Sequence, residues 1–192
     1  MNPICLGLTI FLACLLGSAP LSAASFSLTE RETAAAIQVG QRSVVSEEFG
    51  QEWRVDGAND SSVTVLTPFH RLALAARNAA FKKGTLKRRE IEGLLKEQRG
   101  KLLFWARLHG AREDFARWYQ PVLAAPGREA IAPSFVQNER TALRLDDSRY
   151  LARCLYAFPT AGLSPKGRIT LRIQNPDGKD VERFTVDLGA MR

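Results

Sequence analysis

Chemistry-bearing side chains are scarce in this sequence. Only two histidines occur, His70 and His109, and of three cysteines Cys5 and Cys14 fall in an N-terminal apolar run, leaving Cys154 alone in the remainder. No H-x-x-x-H or C-x-x-C spacing argues for a metal site, so no metal or other cofactor is expected. The nucleophile-elbow pattern G-x-S-x-G is absent, as are a P-loop and a dinucleotide-binding glycine pattern, so no motif-borne hydrolase, nucleotidase or dehydrogenase is indicated. The cysteine count also excludes the intersheet disulfide of antibody domains. No internal repeat or low-complexity tract is present. What remains is ordinary globular material: 192 residues, 45% hydrophobic and 24% charged, enough for one sizeable core.

The N-terminus has its own logic. Ile4 to Leu16 is apolar and is followed by Gly17-Ser18-Ala19-Pro20 and the small residues Ser22-Ala23-Ala24. That is the hydrophobic region and cleavage region of a secretory signal, too short to cross a bilayer as a stable helix, although its first residues carry no Lys or Arg. We therefore expect a signal peptide over residues 1–24 and an exported, periplasmic or secreted chain. The alternative is a lipoprotein anchored through Cys14, because Leu12-Ala13-Cys14 resembles the end of a bacterial lipobox, with Phe11 where such motifs carry Leu. Cleavage near Ala24 leaves Cys154 without an intrachain partner, and its strand-like setting, Tyr150 to Phe158, reads as a small buried apolar residue.

Residues 25–62 read as an N-terminal helix and a loop. Ser27-Leu-Thr-Glu30 and Thr29-Glu-Arg-Glu32 both fit a capping box before a helix to about Val44. Glu47 to Ser62, with its Asp56-Gly-Ala-Asn-Asp60 cluster, reads as mostly loop, and that cluster lacks a complete calcium-ligand pattern. Residues 63–192 form the main body. Val63 to Leu66 is a short strand, and Thr67-Pro68 starts a helix by an N-cap and a proline at the first helical position. Gly84 is expected to end that helix, Thr85 to cap the next, and Gly100 to end that one, giving a helical hairpin at 68–99.

After Gly100 the period shortens to two. Leu102, Phe104, Ala106 and Leu108 share one face of a strand. A strand from Phe115 to about Ala124 follows, with Pro121 arguing for an edge, then a Pro126-Gly127 turn and a strand around Ile131 to Val136. Gln137 to Ser148 reads as loop. The final stretch is the clearest: Ile169, Leu171 and Ile173 alternate with polar residues, and Asn175-Pro176-Asp177-Gly178 makes a turn. Phe184, Val186 and Leu188 return out of phase with Val181. A bulge near Glu182-Arg183 reconciles them, pairing Ile173 with Val181, Leu171 with Phe184 and Ile169 with Val186.

The sum is an α+β chain: an antiparallel immunoglobulin-like β-sandwich with an inserted helical hairpin and an N-terminal helix. Thr67-Pro68-Phe69-His70-Arg71, the strand from Lys101 and Phe184-Thr-Val-Asp-Leu188 together resemble a family of exported bacterial proteins of uncharacterised role. That resemblance spans roughly Val63 to Arg192. It implies a sandwich in the cell envelope and transfers no activity or site.

Charge is the most informative surface feature. Arg71 to Arg112 carries twelve basic residues against three acids, Glu90, Glu92 and Glu97, while the whole chain is only +7. The excess peaks at Lys82, Lys83, Lys87, Arg88 and Arg89, which become the candidate binding residues for an anionic envelope polymer or an envelope protein. Nucleic acid is disfavoured by export and by the lack of a recognition motif. The function expected is a non-catalytic cell-envelope binding module. The alternative is a hydrolase or thiol-dependent enzyme using Cys154 and His109, which needs the thiol and imidazole within hydrogen-bond reach.

Overall fold

The computed structural model describes residues 24–192, so the signal and lipobox expectations at residues 1–23, Cys14 among them, lie outside the described residues. The described chain is α+β, with three α-helices and two antiparallel sheets. No helix among the described residues is long and apolar enough to cross a membrane.

Helix α1, Glu30–Arg42, uses the second of the two capping boxes: Thr29 Oγ1 accepts from the Glu32 N–H while the Glu32 carboxylate accepts from the Thr29 N–H at 2.7 Å. Its buried residues are Ala36 and Gly40, and it packs on α2, Pro68–Phe81. Gly40 lies so near α2 that a Cβ there would sit 2.1 Å from the Ala73 carbonyl oxygen. The intimate helical pair is therefore α1 with α2. Helix α3, Arg88–Gln98, touches α2 more lightly, with the Arg71–Glu97 ion pair at 2.7 Å among the ties.

One sheet runs β1 (Arg54–Asp56), β2 (Ser62–Leu66), β3 (Lys101–Gly110), β8 (Tyr150–Pro159) and β6 (Phe135–Gln137), with the two-residue β7 (Leu143–Arg144) also on β8. The other runs β10 (Asp180–Asp187), β9 (Arg168–Gln174), β4 (Gln120–Ala125) and β5 (Arg128–Ile131). The expected alternation holds: Leu102, Phe104, Ala106 and Leu108 of β3 are buried beside Phe158, Tyr156, Cys154 and Ala152 of β8. They share one core with Ile169, Leu171, Ile173, Phe184, Val186 and Leu188 of the second sheet.

Several local expectations need correction. The region 47–62 is not all loop, because β1 pairs with β2 there after a short 3-10 helix, Gln51–Trp53. The single strand expected at Ile131 to Val136 is two strands in different sheets, divided by Pro133, which has no N–H to continue a ladder. Residues 115–118 are turns, and the strand starts at Gln120. Pro121 sits in β4 opposite Ile173, beyond the reach of β5, whose pairing extends from Ala125 only to Leu123. Its missing N–H therefore costs no hydrogen bond to β5.

The last hairpin closes as the alternation requires, with Leu171 opposite Phe184 and Ile169 opposite Val186. The bulge lies one residue earlier than expected, at Val181, because Asp180 is held opposite Gln174 by Gln174 Nε2 at 2.8 Å and by Arg183 Nε at 2.7 Å. Ile173 thus pairs with Glu182, which turns inward and is buried. The chain end folds back too. The Arg192 main-chain oxygen accepts from the Trp53 indole N–H at 2.7 Å and from the Thr67 hydroxyl, and the Arg192 guanidinium forks onto Glu52.

Candidate functional site

The five basic residues chosen from the sequence cluster where α2 gives way to α3, and all five are exposed. The local cause differs from expectation. Lys83, not Gly84, takes the left-handed conformation, with φ of 57°, and the Gly84 N–H reaches back to the Ala79 carbonyl while Lys83 N–H bonds Ala80. That is a Schellman ending with lysine in the position usually held by glycine. Nor does Thr85 cap α3: Lys87 is the N-cap residue, and its N–H donates to the Glu90 carboxylate at 2.7 Å. The two turns place Lys82, Lys83, Lys87 and Arg89 in solvent with no carboxylate partner among the described residues, while Arg88 pairs with Glu92 at 2.8 Å. Hydrogen bonding to Glu92 raises the Arg88 pKa, so its charge is constant. Phe81, 74% exposed, stands beside these cations.

The Cys154–His109 pair does not form. Cys154 is opposite Ala106 and buried on the inward face, whereas His109 is opposite Leu151, three register pairs along and on the other face. Burial pushes the Cys154 thiol pKa up, the reverse of what a nucleophilic thiolate needs. Among the described residues no group of three or more His, Cys, Asp or Glu side chains gathers as a metal site.

The sequence pattern offered His70 no metal-ligand spacing, and its surroundings were not legible there. The side chain is buried, and its ring stacks on Trp53 with centroids 4.1 Å apart and planes 2° from parallel. Phe49 leans on both rings at 5.9 Å. His70 Nδ1 lies 3.0 Å from the Val65 carbonyl, which can only accept, so the proton resides on Nδ1 and Nε2 is an acceptor. Burial lowers the imidazole pKa, outweighing the Val65 bond and Glu52, which raise it. The ring lines a cleft of about 250 Å³ together with Phe49, Leu66, Leu74, Arg77 and Trp105. The only clue in the sequence was position: His70 falls in the first turn after Thr67-Pro68, where the helix starts on the sheet.

No protein-family model matches this chain, and no curated protein matches it. A solved structure of a protein of unknown function from Burkholderia pseudomallei K96243 is similar at a TM-score of 0.43 and 10% identity, covering 85% of this chain and 92% of that one.

Proposed function

We propose that this chain is an exported, non-catalytic module of the cell envelope that holds an anionic polymer through the connection between α2 and α3. The observation that supports it is the set of four exposed cations, Lys82, Lys83, Lys87 and Arg89, lacking carboxylate partners among the described residues, on a chain that outside residues 71–112 is slightly acidic. Cations left in water with no internal partner lose little on meeting a polyanion, and their field is additive over a short arc of surface. Export rests on the apolar N-terminal run, and the immunoglobulin-like form of the sandwich is part of the same reading, supported by two antiparallel sheets sharing a core.

The experiment is retention of the protein on immobilised lipoteichoic acid and, separately, on lipopolysaccharide, across a salt gradient. A variant with Glu at positions 82, 83, 87, 88 and 89 runs alongside. Retention should fall as the screening length shrinks from roughly 8 Å at physiological salt to about 3 Å at 1 M, and should vanish in the variant. Equal retention of both proteins would refute the basic face as the binding surface.

A further inference from the structure

The His70 cleft is built like a binding site and lies apart from the basic connection. Its histidine is 97% buried, since only 3% of its surface is exposed, yet Nε2 has no hydrogen-bond partner among the described residues and the ring borders the cleft. Nε2 itself is not sealed from solvent, so the cleft can bring a donor, from water or from a ligand, to this fixed acceptor. The ring cannot turn to find another partner, because Trp53 stacks on its face and the Val65 carbonyl holds Nδ1.

Arg77 is one of two guanidiniums on the cleft; the other, Arg54, is paired with Asp56 at 2.7 Å, and Gln51 and Thr64 complete the polar lining. Arg77 Nε donates to the Ser43 carbonyl at 2.9 Å and its Nη2 to the Ser46 carbonyl at 3.1 Å, and its guanidinium lies 4.9 Å over the Phe49 ring. Nη1 keeps no protein partner among the described residues. No Asp or Glu lines the cleft. A guanidinium immobilised in this way is a preorganised anion receptor. Phe49 therefore carries a cation on one side and leans on the neutral imidazole on another, while Leu74 and Trp105 supply apolar wall.

These two polar groups ask for different things. A carboxylate suits Arg77 and is repelled by the Nε2 lone pair, whereas an N–H or O–H suits Nε2. We propose that the cleft binds a small carboxylate whose adjacent N–H donates to His70 Nε2 while its apolar side chain lies against Phe49 and Leu74, the chemistry of an N-acylated apolar amino acid. At about 250 Å³ the cleft is smaller than drug-sized pockets, in keeping with a single residue. Beyond Leu66 and Trp105 a second depression of about 430 Å³ begins, so the same terminal chemistry could equally be the last residue of a peptide.

The test is an NMR titration with three probes: N-acetylleucine, its methyl ester, and its N-methyl analogue. N-acetylleucine should bind with a Kd at or below about 1 mM, and each analogue should bind about tenfold more weakly. His70→Phe should abolish the discrimination against the N-methyl analogue and keep that against the ester, and Arg77→Leu should do the reverse. Because Arg77 also ties down residues 43–46, Leu74→Trp serves as a second variant that fills the cleft without touching either polar group, and it should abolish binding. The tripeptide Ala-Ala-Leu separates the sources: tighter binding than N-acetylleucine assigns a peptide end, equal or weaker binding a single residue, and either upholds the shared chemistry. No binding of N-acetylleucine at about 10 mM, or binding that Leu74→Trp leaves unchanged, would overturn the proposal.

Discussion

Replacing Gly40 with alanine tests the packing argument most directly. Gly40 is buried in α1, and an added Cβ would lie 2.1 Å from the Ala73 oxygen, 2.9 Å from the Ala73 carbonyl carbon and 2.9 Å from the Ala76 Cβ. Ordinary contact begins at 3.4 Å, so the two helices must part by about 1.3 Å at this point, and a backbone carbonyl cannot swing aside as a side chain would. Overpacking a core of this kind costs about 1–3 kcal/mol, against which alanine returns about 0.8–1 kcal/mol of helix propensity. Because the clash is with backbone at 2.1 Å, the upper part of that range, about 2–3 kcal/mol, applies, and the net expectation is a loss of about 1–2 kcal/mol, equivalent to a Tm fall of about 2–8 °C for a chain of this size. Gly93 in α3 provides the control, because nothing lies within 4 Å of its Cβ position. There Gly→Ala should stabilise by up to about 1 kcal/mol through the same propensity term alone. Urea unfolding followed by circular dichroism measures both, with the midpoint shifting and the slope unchanged. A Gly40→Ala protein as stable as the parent, with Gly93→Ala behaving as expected, would refute the close α1–α2 crossing.

Three further expectations follow from single residues. Lys83→Gly should raise stability by about 0.5–1 kcal/mol in the same urea assay, because φ of 57° is strained for lysine and free for glycine, while removing one charge from the basic surface. Cys154 should resist a water-soluble thiol reagent in the native protein and react fully in denaturant; since burial raises its folded pKa, the stability tied to the protonated thiol is present below its ordinary value of 9.0 and is lost as pH climbs past it. His70 has the opposite sign. Its folded pKa is depressed, so its contribution is present above about pH 6.5 and is lost as pH falls through the folded value, and His70→Phe should flatten that acid limb of the stability–pH curve measured by urea midpoints. An acid limb identical in the variant would contradict the buried neutral imidazole near Glu52.

What could be read in advance was whatever depends on neighbours in the chain. The Thr29 capping box, the Thr67-Pro68 start of α2, the two-residue period of β3 and the Asn175 turn are all local, and each is present. Even the pairing of Phe184 with Leu171 was legible, because a period of two leaves one register that buries both strands' apolar sets. The basic surface was legible for the same reason, since five cations within eight positions must share a small area wherever that segment lies.

Tertiary structure decided the remainder. It put Cys154 and His109 on opposite faces, although sequence distance allowed them to meet. It sent the residues on either side of Pro133 into different sheets, and it placed the bulge at Val181 because Asp180 was already committed to Gln174 and Arg183. It also made the His70 cleft. That site depends on Trp53, Phe49, Arg77 and Trp105 converging from a short 3-10 helix, a loop, a helix and a strand, and no spacing in the sequence encodes such a meeting. Local pattern determined which segments are helix and strand and where the charge lies; only the packing of distant segments against one another determined which side chains share a cavity, because burial and hydrogen-bond satisfaction are properties of the assembled core.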